Sequence, residues 1–172
     1  YKELANIIPQ EKTDSSDKPN GYVTVTFKSD ANGSLTGKTV YYVNSKKTVD
    51  LTDTAKAINK NPNTGYTAEG GTWSPAITNK TYTENAEYTF NFVKLDDVIP
   101  EIKEGGNKNK KPEGYITVIL IPTDKATDPT NKVFFVKPNV EVKIPSTDPV
   151  GKENKAKEKF IFKSWDATRG TI

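Results

Sequence analysis

The sequence predicts a mostly β (α+β) chain, built as two tandem small modules of antiparallel strands with one short helix each. Three observations carry that expectation. A register of apolar residues recurs at a fixed interval, the recurring segments alternate with a period of two, and turn residues separate them.

The recurrence is explicit. Lys18-Pro19-Asn20-Gly21-Tyr22-Val23-Thr24-Val25 returns as Lys111-Pro112-Glu113-Gly114-Tyr115-Ile116-Thr117-Val118, an offset of 93. Val40-Tyr41-Tyr42-Val43 returns at the same offset as Val133-Phe134-Phe135-Val136, and Val49 and Leu51 as Val142 and Ile144. Nine of 34 positions are identical between residues 18–51 and 111–144 without a gap, too many in one register for coincidence. Trp73 matches Trp165 at an offset of 92, and Leu4, Ile8 and Pro9 match Leu95, Ile99 and Pro100 at 91.

Within the first copy, residues 22–27 alternate, Val23, Val25 and Phe27 facing one way and Tyr22, Thr24 and Thr26 the other, as in a half-buried strand. Ile116, Val118 and Leu120 hold the inward positions of the second copy. Asp30-Ala31-Asn32-Gly33 supplies a turn, with Asp128-Pro129-Thr130-Asn131 as its counterpart. Residues 40–43 and 133–136 are β-branched and aromatic, and read as second strands. Residues 48–51 make a short third strand. Residues 52–58 then read as a short helix, with Thr52 or Asp53 as N-cap and Asn61-Pro62 as its stop. The counterpart, 146–157, is interrupted by Pro149 and Gly151. A segment at 66–73 and a strand at 87–93 complete the first unit, with Tyr88, Phe90 and Phe92 on one face closing the core.

These elements divide the chain into residues 1–17, the tail of a preceding repeat and a linker; 18–95, a first module; 96–110, a linker; and 111–172, a second module whose last strand is missing. The expectation is a fragment of a longer array. A second module without its equivalent of residues 87–93 is expected to be marginal or dependent on a neighbour, unless residues 160–162 fill the gap.

Composition narrows the chemistry. There is no Cys and no His, so disulfides, thiolate nucleophiles, Ser-His-Asp and Cys-His catalysis and the commonest transition-metal ligand are excluded. Arg169 is the only Arg, and Lys lacks the planar fork that reads guanine or clamps phosphate. With a net charge of +3 and acids interspersed, nucleic acid is not an expected partner. No run approaches the eighteen or so apolar residues of a membrane span, so no membrane insertion is expected. The expected chain is not an enzyme and has no catalytic residue, cofactor or metal.

Most of the sharper candidates have a plainer role. Asp96-Asp97 is a paired carboxylate, but its repeat counterparts are Ala5 and Asn6, and a turn is the expected role. Gly65, Gly70, Gly71 and Thr72 lack the Gly-Lys-Ser/Thr of a phosphate loop and are expected to allow turns beside Trp73. Trp73 and Trp165 are either exposed platforms for a sugar or core plugs, with the core expected. At least half of the tyrosines are expected to serve the core. The one ligand-binding candidate is the basic cluster Lys152, Lys155, Lys157, Lys159 and Lys163, which faces only Glu153 and Glu158. It would suit a sulfated glycan or an acidic partner if it is more than a solvated face.

The Gly21-Tyr22-Val23-Thr24-Val25-Thr26-Phe27 opening, the Val40-Tyr41-Tyr42-Val43-Asn44 segment and the Lys94-Leu95-Asp96-Asp97-Val98-Ile99-Pro100 phrase resemble tandem repeats of Gram-positive cell-wall-anchored surface adhesins. The likeness is to streptococcal surface repeats of fibronectin-binding type, and more loosely to SHIRT-type stalk repeats. It covers nearly the whole chain. The resemblance implies an extracellular protein displayed on the cell wall, binding a host matrix or plasma protein (fibronectin or plasminogen class) or a glycan and contributing to virulence. Its alternative is a stalk that projects a separate adhesive domain. It carries over no ligand-binding residue.

Overall fold

The computed structural model describes residues 3–102, 106–124, 126–127 and 132–145. The chain divides into two compact units, Tyr1–Leu95 and Asp96–Ile172.

The first unit runs β1 (Ile7–Pro9), β2 (Tyr22–Ser29), β3 (Gly33–Thr36), β4 (Val40–Asn44), β5 (Thr48–Val49), α1 (Thr52–Ala57), β6 (Asn59–Pro62), β7 (Tyr66–Ser74), β8 (Lys80–Thr81) and β9 (Ala86–Lys94). Its main sheet has the order β1-β4-β2-β9-β7. Neighbouring strands are antiparallel except for the β2–β9 pair, which is parallel. That pair departs from the all-antiparallel expectation. The path from β2 to β9 passes through β4, α1 and β7, long enough for the crossover that a parallel pair requires. Two small antiparallel pairs, β3–β6 and β5–β8, flank the sheet.

Alternation puts one face of the sheet into a single core. Val25, Phe27, Val43, Val49, Leu51, Ala55, Ile58, Tyr82 and Tyr88 form its buried cluster. On β9, Tyr88, Phe90 and Phe92 are all buried, as their spacing predicted. Burying aromatics of this size is worth roughly 1.5–3 kcal/mol each, so β9 is a principal source of the unit's stability.

Helix α1 contributes Ala55 to that core. Its N-cap position is Leu51, not Thr52 or Asp53, because Leu51 is fully buried and draws the chain inward. The capping carboxylate comes one residue earlier: Asp50 Oδ1 accepts the Thr52 N–H at 2.8 Å and the Thr52 hydroxyl at 2.6 Å. The helix stops at Ala57 because Ile58 turns extended to fill the core, before Asn61-Pro62 can act. Those two residues instead belong to β6.

Residues 1–17 differ from the expected tail and linker. Ile7–Pro9 pairs with β4 (Ile7↔Val43, Ile8↔Tyr42, Pro9↔Tyr41), an edge position that tolerates a proline. The loop behind it is pinned: Asp17 Oδ2 accepts the N–H groups of Glu11 and Lys12, and Asp17 Oδ1 accepts the Tyr42 hydroxyl at 2.8 Å.

In the second unit, the described strands are β10 (Val98–Pro100), β11 (Ile116–Ile119) and β12 (Val133–Val136), in the order β10-β12-β11, all antiparallel. Residues 98–100 are therefore a strand inside the stretch expected to be a linker. They pair as Val98↔Val136, Ile99↔Phe135 and Pro100↔Phe134, the register of β1 on β4 shifted along the chain. β11 on β12 likewise repeats β2 on β4, with Ile116↔Val136 in the place of Val23↔Val43.

Single hydrogen bonds repeat too. The Tyr22 hydroxyl donates to the Ala5 carbonyl at 3.0 Å, and the Tyr115 hydroxyl to the Asp96 carbonyl at 2.9 Å. Gln10 N–H to Val40 O is matched by Glu101 N–H to Val133 O, and Asn44 N–H to Asn6 O by Lys137 N–H to Asp97 O. Phe27 N–H to Thr39 O is matched by Leu120 N–H to Lys132 O. Gly21 and Gly114 both take positive φ (81° and 76°) in the turn before the tyrosine.

Burial is matched less closely than register. Val40 and Val133 are both half-buried, but Val49 is buried where Val142 is half-buried, and Ile116 is 36% exposed where Val23 is half-buried. In the first unit β9 covers the far side of β2. Among the described residues β11 pairs with β12 alone. The helix expected at 146–157, the Trp165 match and the basic cluster lie outside the described residues.

Candidate functional site

A concavity of the first unit lies beside Trp73. β7 and β9 place Trp73 opposite Phe90, and a register shift between Thr67 and Thr72 marks a bulge in β7 at Glu69-Gly70-Gly71. Gly70 takes the positive φ of 75° that the bulge needs. Gly71 leaves room for the Phe90 ring: a Cβ there would stand 2.5 Å from Phe90 Cζ and 2.8 Å from the Asn91 carbonyl oxygen. The glycines therefore serve a bulge and a close approach within a strand, which is how they shape the ground beside Trp73.

Aromatic rings continue from there into the core. Trp73 meets Phe27 at 5.1 Å and 73°, and Phe90 at 5.1 Å and 68°, both edge-on. Phe90 meets Phe92 edge-on at 5.0 Å, and Phe27 stacks on Tyr88 at 5.6 Å. Trp73 is thus half plug and half wall. It packs against the buried cluster and also lines an open groove of about 530 Å³ between α1 and β7.

The groove's other walls are Thr52, Ala55, Lys56, Lys60, Ala68, Gly71, Thr72, Ala76, Ile77 and Phe90. The titratable groups among them are the ammoniums of Lys56 and Lys60. Lys60 reaches from β6 to the end of α1, where its Nζ donates to the Ala55 carbonyl at 2.6 Å and the Lys56 carbonyl at 3.3 Å. It satisfies helix-end acceptors that have no partner within the helix. Its ammonium also lies 5.8 Å from the ring centroids of both Trp73 and Phe90, within cation–π range. Burial holds its pKa below the ordinary lysine value. Lys56 faces out and pairs with Asp53 at 3.6 Å. An aromatic wall, small neighbours and two cations equip the groove to bind, and they supply no nucleophile paired with a base.

Nothing in the sequence singled out Lys60, which sits in a polar run that reads as loop. The Asp96 carbonyl receives the Tyr115 hydroxyl, and the Asp97 carboxylate lies 3.9 Å from Lys137 Nζ. Tyr42, Tyr82, Tyr88 and Tyr115 are buried, half of the eight tyrosines. No group of three or more carboxylates converges as a metal site, and no helix is long and apolar enough to cross a membrane, among the described residues.

No protein-family model, curated protein or solved structure matches the chain.

Proposed function

We propose that the chain is made of two copies of one module, and that the module is a spacer repeat of an extracellular, cell-wall-anchored surface protein. The observation that carries this reading is the shared β1-β4-β2 and β10-β12-β11 frame, with one strand order, one register and matched single hydrogen bonds. A binding site needs its geometry once. A frame duplicated at this level suits a part whose use is to be added in series. Strands of nine residues such as β7 and β9 of the first unit span about 30 Å.

The test is to build chains with one to four copies and measure their maximum dimension by small-angle scattering. A constant increment per copy supports the spacer. Dimensions that saturate after two copies argue against it.

The groove beside Trp73 favours a second reading, in which the module itself adheres to a host matrix protein, plasma protein or glycan. Saturable binding of the chain to immobilised fibronectin, plasminogen or heparin at physiological salt, lost in Trp73→Ala, supports adhesion. Absence of binding to all three leaves the spacer alone.

A further inference from the structure

The second unit exposes apolar side chains on β11 and just past its end. Ile116 is 36% exposed, Ile119 54% and Ile121 78%. Their counterparts in the first unit are Val23, Thr26 and Lys28. On β2 the equivalent run is paired in parallel with β9, through Val25↔Ala86, Thr26↔Glu87, Phe27↔Tyr88 and Lys28↔Thr89. The direction of the backbone groups is known from the same comparison. Phe27 and Leu120 send their N–H groups to the β4 and β12 sides, so the alternate residues face the other way. Thr24 demonstrates it, donating its N–H to Asn85 Oδ1 at the β9 side. In the second unit the amides facing that side are those of Thr117, Ile119 and Ile121, and among the described residues they meet no strand.

We propose that the β11 edge is an acceptor for one further strand, running parallel to it and belonging to a repeat of this same protein. The occupant has β9's alternation of inward aromatics, but apolar residues in place of Glu87 and Thr89. The second condition follows from the substitutions on β11. In the first unit Lys28 forms a 2.6 Å ion pair with Glu87, and Thr26 lies beside Glu87 in the parallel register. Ile121 and Ile119 stand in those places, so a carboxylate beside them would be desolvated without a cation. An apolar side chain there would cover both isoleucines. The inference rests on the module reading above.

The test uses the full chain and two synthetic peptides: the sequence of residues 86–94, and the same peptide with Glu87→Val and Thr89→Val. Amide exchange is followed at Ile119 and Ile121, with the frame amides of Glu101, Leu120 and Lys137 as the reference. The expected result is slower exchange at Ile119 and Ile121 with either peptide, and about tenfold tighter binding of the doubly substituted one. Ile121→Lys in the chain should reverse that preference. Ile119 and Ile121 already protected without peptide, or unprotected at saturating peptide, overturns the inference, and so does equal binding of a peptide with Tyr88, Phe90 and Phe92 replaced by Ser. Rapid exchange of the three frame amides would instead overturn the module reading itself.

Discussion

The hydroxyls of Tyr82 and Tyr88 lie 2.7 Å apart in the core of the first unit, each ring at most 2% exposed. Burial raises the pKa of Tyr82 above the ordinary tyrosine value, and the bond to Tyr88 raises it further. The folded chain therefore keeps this proton where the unfolded chain releases it. Stability is complete below about pH 10 and falls as pH rises beyond it. Burial pushes Tyr41, Tyr42 and Tyr115 the same way. Urea unfolding between pH 8 and 12 should show this alkaline loss. Tyr82→Phe should flatten it while costing about 1–3 kcal/mol at neutral pH, because the Tyr88 hydroxyl is left buried without its partner. An unchanged alkaline slope in the variant would count against the account.

Gly71→Ala tests the bulge. The added methyl would meet the Phe90 ring and the Asn91 carbonyl, and neither has freedom to retreat: Phe90 is 4% exposed and Asn91 belongs to β9. A loss of about 1–3 kcal/mol is expected, the usual range for overpacking. A midpoint shift below about 0.5 kcal/mol would show that β7 is looser than described.

The strands that carry apolar alternation were legible: residues 22–27, 40–43 and 87–93 all fall within strands. Burial of one face drives both the pattern and the fold, so the pattern reports it. β3 and β6 were not legible, because Gly33–Thr36 offers one apolar residue, Leu35, and Asn59–Pro62 is polar, and the two pair only once the core brings them together. The parallel β2–β9 pairing is not legible for a related reason, since alternation does not encode a strand's neighbour. Residues 7–9 and 98–100 match one another in sequence, but three residues show too little periodicity to read as a strand. At the groove, Trp73 was visible as an aromatic and Lys60 was not, since its role is set by the end of α1.

Asp17 gives an acid counterpart to the tyrosines. Burial opposes its charge, but the Glu11 and Lys12 amides and the Tyr42 hydroxyl outweigh that and lower its pKa. Its contribution is present above the unfolded value, about 3.9, and is lost as pH falls through the lower folded value. Asp17→Asn should therefore lower Tm at pH 7 and leave it nearly unchanged near pH 2, measured by calorimetry at both. An equal drop at both pH values would assign the effect to packing.

The last prediction concerns a matched pair whose chemistry differs between the units. Asn44 Nδ2 donates to Asn6 Oδ1 at 3.2 Å, and Lys137 and Asp97 stand in the equivalent places, with Lys137 Nζ 3.9 Å from Asp97 Oδ1. That oxygen is buried and makes no hydrogen bond within the described residues, so the lysine is what offsets its charge. The pair is partly exposed, 25% and 42%, which keeps the attraction small, about 1 kcal/mol or less. Lys137→Met leaves the carboxylate without its cation and should cost up to about 1 kcal/mol. Asp97→Asn removes the charge and should cost less. Asp97→Asn with Lys137→Asn recreates the amide pair of the first unit and should recover most of the loss. Exchange of the Phe135 and Val136 amides reads the local stability of β12 in each variant. If Asp97→Asn costs as much as Lys137→Met, the charge of Asp97 matters for something other than its pairing with Lys137.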